Sequence, residues 1–305
     1  MSEVPAVMTE YLSYLKNVRN LSARTLEAYG TDLSHYANYC GNHGIDPESA
    51  TSWQVQAFIA DLSFEHEACT SVNRRLSSIR GFYRWLARFN RRIDNPCDKG
   101  LKNVKVPQGL PSVLWEEEMA AFADLPEARK MLWPERDKAL ILAMYSAGLR
   151  ISELASLRMK AIAGSFDEAR ITGKGGKERI VFFSAEAKAA ILGYLPFREA
   201  GIRDSGLESE SRDGALFISR KGRPLSVSGI RWIITQYAQR SNMGKNIHPH
   251  TFRHSFATHL VNNGCDVRIV QEMMGHASLS TTQRYAHVNI ESLKKVYRRT
   301  HPHGN

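Results

Sequence analysis

Hydrophobic positions in the first ninety residues recur at intervals of three and four, the spacing of helices that bury one face. Ser22 and Ser52 each precede such a stretch and are suited to cap a helix start. The spacing predicts four helices: Val7–Val18, Ser22–Cys40, Ser52–Leu62 and Ser71–Arg91. The N-terminal part of the chain is therefore predicted to form a small helical domain.

Proline and glycine cluster after these helices, from residue 93 to residue 111, and interrupt regular structure. The same stretch is basic, with Lys99, Lys102 and Lys105. We interpret it as a linker that crosses from one face of a polyanion to the other. The predicted organisation is a helical domain over 1–92, a linker over 93–111 and a second domain over 112–305.

The second domain combines helical patterns with one predicted hairpin. Glu168–Thr172 and Glu178–Phe183 are short strand patterns that flank a Gly-Lys-Gly-Gly-Lys turn. Helical patterns cover the stretches Glu116–Phe122, Pro134–Tyr145, Ala187–Leu195 and much of Ser226–Tyr297. The predicted fold class is mainly α with a small β-sheet.

Composition narrows the class of protein. A length of 305 residues suits about two domains. The longest apolar run, Ala139–Tyr145, is far shorter than the roughly 20 residues that span a bilayer, which predicts no membrane association. The four cysteines form no C-x-x-C pair and fit a reducing compartment, so we expect a cytoplasmic protein without metal or other cofactor.

Charge is distributed in blocks along the chain. The net charge is +10, but residues 1–69 carry −6, whereas residues 70–106 carry +8 and residues 141–305 carry +11. A basic excess favours a polyanionic partner, and two separate basic zones suggest two surfaces that grip one polyanion.

The first basic zone has a helical geometry. At 100° per residue, Arg80, Arg84, Arg88 and Arg91 fall within an 80° arc, opposite an aromatic stripe around Phe82. Carboxylates are nearly absent from this stretch, so we interpret the arginines as phosphate ligands rather than as a solvated face. The predicted DNA-contacting residues are Arg74, Arg75, Arg80, Arg84, Arg88, Arg91, Lys102 and Lys105.

Candidate catalytic groups occupy five places in the second domain. They are Arg150 at a helix start, Lys174 at the hairpin tip, His250 with Arg253 one turn later, His276 after a glycine, and Tyr285. Each is common by chance, since an arginine near a helix start usually forms a surface ion pair and a tyrosine is usually packed. Their order and spacing together are more informative.

The strings around these residues resemble those of the tyrosine site-specific recombinases (the phage integrase family), most closely the XerC branch of its Xer group. Resemblance also extends through the N-terminal half, for example in Arg75-Leu76-Ser77, and so covers nearly the whole chain. The matching strings in the second domain are 147–154, 173–179, 249–260 and 275–285.

The resemblance implies a fold and a reaction. The fold is an N-terminal helical core-binding (SAM-like) domain plus a C-terminal α+β tyrosine recombinase catalytic domain, clamping DNA. The Tyr285 hydroxyl would attack a phosphodiester, form a 3′-phosphotyrosyl link and release a 5′-hydroxyl that attacks the partner strand through a Holliday junction. The covalent phosphotyrosyl link keeps the energy of the cleaved phosphodiester bond, which explains why neither ATP nor metal is required.

The resemblance also implies roles that suit the residue types. Arg150 and Arg253 would hold the phosphate oxygens as rigid forks, and His276 would donate a hydrogen bond to them. Lys174 would protonate the leaving 5′-oxygen, and His250 would help to deprotonate Tyr285.

Partners follow from the resemblance as well. They are double-stranded DNA with a specific site, a paralogous (XerD-like) recombinase in a heterotetramer, and an FtsK-type translocase during resolution of chromosome dimers. The basic tail Leu293–Asn305 would dock as a helix into the neighbouring protomer.

Other interpretations stay open at this stage. An integrase of a mobile element shares the chemistry, but the core-binding motif begins by Leu21, which we expect to leave no room for an additional arm-binding domain. A catalytically silent DNA-binding protein would not need all six catalytic positions filled. A metal site among His248, His250, His254 and His259 is disfavoured because no H-E-x-x-H motif occurs.

Overall fold

The computed structural model describes residues 4–65, 67–98, 100–106, 112–129, 132–173, 176–206, 214–275 and 290–304. The chain divides into two compact units, Met1–Gln108 and Gly109–Asn305, each with its own hydrophobic core. No helix among these described residues is both long enough and apolar enough to cross a bilayer.

Four helices build the part of the first unit that the structure describes: α1 Ala6–Asn17, α2 Ala23–Asn42, α3 Ser52–Phe64 and α4 Cys69–Arg88. Ser22 caps α2 as predicted, accepting a hydrogen bond from the backbone N–H of Thr25. The predicted cap of α3 is wrong: Ser52 is its first residue, and Thr51 is the cap. Gln54 accepts a hydrogen bond from the Thr51 N–H at 2.8 Å and thereby completes a reciprocal capping box.

Helix α4 ends three residues earlier than predicted. Its last residue is Arg88, and Asn90 adopts a left-handed backbone conformation with φ of 55°. Asparagine tolerates this region because its short side chain bonds locally, so it ends helices as glycine does. Arg91 therefore lies beyond the helix, and its predicted angular position with Arg80 and Arg84 does not apply.

The segment after α4 packs back onto the first unit. Cys97 is buried in its core, and Leu101 and Val104 lie against that core. The Asn73 side chain both donates to the Val104 carbonyl at 2.9 Å and accepts from the Val104 N–H at 2.8 Å. Cys97 and residues 100–104 are thus held against α4 and the core of the first unit.

The second unit is organised around a buried helix. The helices are α5 Glu116–Arg129, α6 Pro134–Ser146, α7 Ile151–Ser156, α8 Ala185–Asp204, α9 Val227–Arg240, α10 Pro249–Asn262, α11 Val267–Met273 and α12 Ile290–Thr300. Every residue of α6 from 139 to 146 is buried, and α6 packs against α5, α8 and α10. A helix that is apolar on all sides belongs in such a core.

The predicted hairpin is confirmed. Strands β1 Glu168–Thr172 and β2 Glu178–Phe182 pair antiparallel, with Ile171 opposite Arg179 and Thr172 opposite Glu178. Among the residues that the structure describes, these two strands form a two-stranded sheet. The predicted class, mainly α with a small β-sheet, is confirmed.

Helix α8 is much longer than predicted. The sequence pattern ended it at Leu195, before Pro196, but it continues to Asp204 with this proline inside. Arg198 and Ile202 beyond the proline are buried, and Arg198 donates to the Ala215 carbonyl at 3.0 Å. Packing on both sides of Pro196 outweighs its missing hydrogen bond.

The C-terminal helix α12 packs on the second unit, against α10 and β2. Tyr297 is buried and donates from its hydroxyl to the Ser146 carbonyl at 3.0 Å. The Asn263 amide donates to the Thr300 carbonyl at 3.0 Å. Docking of this helix into a neighbouring protomer stays a prediction.

His301 should make the protein less stable in acid. It is 4 % exposed and stacks on Tyr297 at 4.9 Å between ring centroids. Burial, reinforced by nearby His303 and His259, lowers the pKa of His301 to about 3. The unfolded chain binds a proton near pH 6.5 and the folded chain does not, so stability falls as pH drops below that value. From pH 7.5 to pH 5 we expect this histidine to remove about 2 kcal/mol from the free energy of unfolding.

Urea unfolding of the full chain at these two pH values checks this prediction. His301→Phe, which suits the aromatic surroundings, should lessen the acid sensitivity, whereas His35→Phe at an exposed position of α2 should not. Equal acid sensitivity in wild type and His301→Phe would contradict the assignment.

Candidate functional site

Arg150 is positioned by a tight turn between α6 and α7. Gly148 has φ of 55°, and a Cβ there would lie 2.5 Å from Phe256, so the turn requires glycine. Two residues later, Arg150 donates from its backbone N–H to Glu153 Oε2 at 2.8 Å and from Nη1 to Glu153 Oε1 at 2.8 Å. Both the backbone and the guanidinium of Arg150 are therefore fixed by one carboxylate.

Arg253 reaches the same turn from α10. It is 6 % exposed, and its Nη1 donates to the Gly148 carbonyl while its Nη2 donates to the Met274 carbonyl. Burial, with a further contribution from Arg150, lowers the pKa of Arg253 to about 10. The guanidinium remains charged at neutral pH, and the two predicted arginines converge.

Three consecutive carbonyls at the end of α11 each accept a hydrogen bond from a different arginine. Arg179 Nε donates to Met273 at 3.0 Å, Arg253 donates to Met274, and Arg150 Nη2 donates to Gly275 at 3.3 Å. The C-terminal end of a helix attracts cations, which favours this arrangement. His276 is the next residue in the sequence, so the three arginines contact the residues that directly precede this predicted catalytic histidine.

Glu153 is the carboxylate among these three arginines. It is 4 % exposed, and its Oε1 and Oε2 lie 2.8 and 2.9 Å from Arg179 Nη1 and Nη2. Burial opposes its ionisation, but hydrogen bonds from Arg179 and Arg150 outweigh burial and lower its pKa. Three guanidiniums against one carboxylate leave an excess of positive charge, which suits an oxyanion.

His250 lies one helical turn before Arg253 in α10 and is exposed. Burial of part of the ring, then the neighbouring His248, His254 and Arg253, lower its pKa. The imidazole is therefore neutral at pH 7 and able to accept a proton. It lines a cavity of about 520 Å³, together with His248, Arg231 and Lys245.

Three of the six predicted catalytic residues, Lys174, His276 and Tyr285, lie outside the described residues. The other three are Arg150, His250 and Arg253. The structure brings the two arginines together and places His250 on the same helix as Arg253.

The predicted DNA-contacting residues of the first unit fall into different environments. Arg84, Arg88, Lys102 and Lys105 are exposed. Arg80 is half-buried and donates to the Asn103 side chain at 2.7 Å and to the Leu101 carbonyl.

Three further arginines of this set are paired with carboxylates, although carboxylates are nearly absent from residues 70–106. Arg74 contacts Asp32 at 2.5 Å, Arg75 contacts Glu67 at 2.6 Å, and Arg91 contacts Glu10 at 2.7 Å. These acids lie outside residues 70–106, so a count along that stretch could not find them. Arg75 is 7 % exposed, and this burial gives it a structural role in the interior.

Sequence reasoning assigned no role to Glu153, Arg179 or Asp32. Glu153 stands three residues after Arg150, a helical spacing that places both on one face and was the available signal. Arg179 is the last residue of the matching string 173–179, and its distance along the chain from Glu153 gives no sign that the two side chains meet. Asp32 is fully buried beneath Arg74, a contact that only the packing of α2 on α4 creates.

Within the ranges that the structure describes, no three histidine, cysteine, aspartate or glutamate side chains are grouped to hold a metal ion. His248 instead caps α10, where its Nδ1 accepts from the Thr251 N–H at 3.3 Å.

Comparison with known proteins covers both units. A family model described as the phage integrase family matches residues 113–292, and one described as its N-terminal SAM-like domain matches residues 8–90. The chain is 38% identical to "Tyrosine recombinase XerC" of Treponema denticola, over 97% of this chain and 99% of that protein. It is 37% identical to "Tyrosine recombinase XerC" of Pelotomaculum thermopropionicum, over 96% of each.

A solved structure shares the fold. It is the XerH site-specific recombinase bound to palindromic difH substrate in a post-cleavage complex, with a TM-score of 0.68 and 21% identity. The match covers 94% of this chain and 83% of that one.

Proposed function

This chain belongs to the phage integrase family and is a tyrosine recombinase, an enzyme that cuts and rejoins DNA; from that premise we propose that it recombines a specific chromosomal site through a covalent tyrosyl intermediate. The observation that carries the proposal is the convergence of Arg150 and Arg253 on the carbonyls of Gly275 and Met274. Two fixed guanidiniums at one place suit a phosphodiester whose nonbridging oxygens gain negative charge during attack.

The nucleophile of the proposed reaction is Tyr285. Its oxygen forms a bond to phosphorus, the bond from phosphorus to the 5′-oxygen breaks, and the 3′ end stays attached to the protein. The 5′-hydroxyl of the partner strand later reverses the step and produces a Holliday junction. Because the phosphoester bond is exchanged rather than hydrolysed, no external energy source is needed.

Proton transfer is divided between two residues. The neutral state of His250 at pH 7 supports its role as the base that helps to deprotonate Tyr285. Lys174 is the acid that protonates the departing 5′-oxygen, and His276 donates a hydrogen bond to the phosphate. These three roles account for the charge that develops on the phosphate and on the leaving group.

DNA is held by the exposed cations of the first unit. Arg84 and Arg88 lie one turn apart on α4, and Lys102 and Lys105 follow in the next segment. Arg74 is half-exposed and oriented by buried Asp32, so it is a preorganised phosphate ligand. Arg80 and Arg91 also contact DNA phosphates, through the guanidinium N–H groups that their partners within the protein leave unused.

Neutralising Arg84 and Arg88 should reduce the salt dependence of DNA binding. Each phosphate contact contributes about 0.9 to the slope of log affinity against log salt, so Arg84→Ala with Arg88→Ala should lower the slope by about two. Fluorescence anisotropy between low and moderate salt measures it. A charge-matched double variant of exposed arginines in the other unit, Arg129→Ala with Arg203→Ala, is the control. An unchanged slope in the α4 variant would show that these arginines do not contact phosphate.

The biological role that we propose is the resolution of chromosome dimers at a terminus site during cell division. Its partners would be a paralogous XerD-like recombinase in a heterotetramer and an FtsK-type translocase. Relatives at 37–38% identity over nearly their whole length carry the name XerC, which supports this branch of the family.

The proposal is tested with a nicked duplex that carries the host's terminus site. The nick lets the cleaved fragment leave, so the covalent complex accumulates as a slow band on a denaturing gel. We expect the band with EDTA present, either with this protein alone or after addition of the paralogue. Site-specific DNA binding without a band under either condition would favour a silent DNA-binding protein, and no binding of the terminus site would favour the integrase of a mobile element.

A further inference from the structure

Arg179 connects the hairpin to the arginine site. It lies in β2 opposite Ile171, and its guanidinium leaves the strand to meet Glu153. Nη1 and Nη2 contact Oε1 and Oε2 of Glu153 at 2.8 and 2.9 Å, and Nε donates to the Met273 carbonyl at 3.0 Å. One side chain thus joins three elements: the hairpin, the start of α7 and the end of α11.

The contact between Arg179 and Glu153 adjoins the end of β1. A Cβ at Gly173 would lie 3.4 Å from Arg179 Nη1 and 3.7 Å from Glu153 Oε1. The N–H of Gly173 donates to the Lys177 carbonyl at 2.7 Å, which fixes the same point across the hairpin. Gly173 is the residue directly before Lys174 in the chain.

The other side of the Arg179 side chain packs on Gly275. This glycine has φ of 64°, and a Cβ there would lie 3.1 Å from Arg179 Cδ and from Nη1. The same glycine accepts the hydrogen bond from Arg150. Arg179 is therefore enclosed between Gly173 and Gly275, next to the groups that fix Arg150.

We propose that Arg179 is a positioning residue that holds the base of the Lys174 hairpin in register with the phosphate-binding arginines. This inference rests on the proposed function, in which Lys174 protonates the 5′-oxygen. A two-stranded ribbon by itself is a weakly stable element, so the placement of its tip depends on such anchors. A displacement of about 1 Å in a catalytic group costs on the order of 10²-fold in rate.

The geometry requires arginine at this position. The planar fork supplies two parallel N–H donors to one carboxylate and a third donor to a carbonyl. A lysine would keep the charge but could not make these three bonds together. We therefore expect Arg179→Lys to be impaired almost as strongly as Arg179→Met.

The experiment compares two leaving groups at the same scissile phosphate. In one nicked duplex the bridging 5′ atom is oxygen, which needs a proton to depart. In the other it is sulfur, which leaves as a thiolate because thiols ionise near pH 8.5 and need no acid. The cleavage position is mapped first with wild-type protein, and the rate of covalent complex formation is measured for each duplex.

We expect Arg179→Met and Arg179→Lys to cleave the oxygen duplex on the order of 10²-fold more slowly than wild type, since a general acid contributes at least that much. On the sulfur duplex both variants should approach the wild-type rate. A purely structural defect would slow both duplexes equally, and that result, like wild-type rates on both, would overturn the proposal.

Two controls separate this inference from the function beneath it. Lys174→Ala must show the same rescue by sulfur. If Lys174→Ala is not rescued, both the assignment of Lys174 as the acid and the role of Arg179 are wrong. If Lys174→Ala is rescued but the Arg179 variants are not, only the role of Arg179 is wrong. Arg170→Met removes another hairpin arginine, whose partner Glu178 lies 3.5 Å away in an exposed pair, and should leave both rates unchanged. Thermal unfolding and DNA-binding measurements show that the compared variants are folded.

Discussion

Replacing Tyr285 with phenylalanine should abolish the covalent protein–DNA complex while DNA binding is retained. The substitution removes one oxygen, the atom that bonds to phosphorus in the proposed reaction, and leaves the ring. Because this oxygen is the nucleophile of the proposed reaction, the loss should be complete rather than partial. A denaturing gel measures the complex, and a native gel with the same duplex measures binding.

Tyr297→Phe is the matched control for this experiment. Tyr297 is also a tyrosine of the C-terminal region, but burial raises its pKa well above the usual value and its hydroxyl donates to the Ser146 carbonyl. Such a phenol is held protonated and out of contact with solvent, so its replacement should preserve the covalent complex. Persistence of the complex in Tyr285→Phe would identify a different nucleophile and refute the proposed chemistry.

The second large effect is expected from Arg253→Lys. The variant keeps a positive charge, but an ammonium cannot bind the Gly148 and Met274 carbonyls and still present a fork to phosphate. Loss of a preorganised donor to a developing oxyanion costs about 10²–10³-fold in rate. Single-turnover cleavage at saturating protein concentration separates this effect from any change in DNA affinity.

The control for this substitution is Arg203→Lys, at an exposed position of α8. It tests whether exchange of arginine for lysine as such affects cleavage, and we expect the wild-type rate. Cleavage by Arg253→Lys within a fewfold of wild type would mean that charge alone suffices at this position, and the proposed fork would be wrong.

The confirmed parts of the fold are those that local patterns specify. The helical spacing around Val55 and Phe58 indicated α3, and two strand patterns around a glycine-rich turn indicated the β1–β2 hairpin. Mistakes arose where distant packing competes with a local signal. Pro196 marks a helix end in any local pattern, yet α8 passes through it because Arg198 and Ile202 are buried beyond it.

The candidate site divides in the same way. Arg150, His250 and Arg253 were predicted because the strings that contain them are contiguous in sequence and characteristic of a family. The structure alone showed that Glu153 contacts Arg179, 26 residues further along the chain, and that Arg74, Arg75 and Arg91 have acidic partners outside residues 70–106.

By itself, the sequence determined the class of fold, the hairpin, the two basic zones and the identity of the candidate catalytic groups, because each depends on residues that are close along the chain. Only the tertiary structure decided which cations are available and which are paired, how Arg150 and Arg253 reach adjacent carbonyls, and why Gly173 and Gly275 both adjoin Arg179. Those features depend on contacts between residues far apart in sequence, and such contacts form only when the helices and the hairpin pack together.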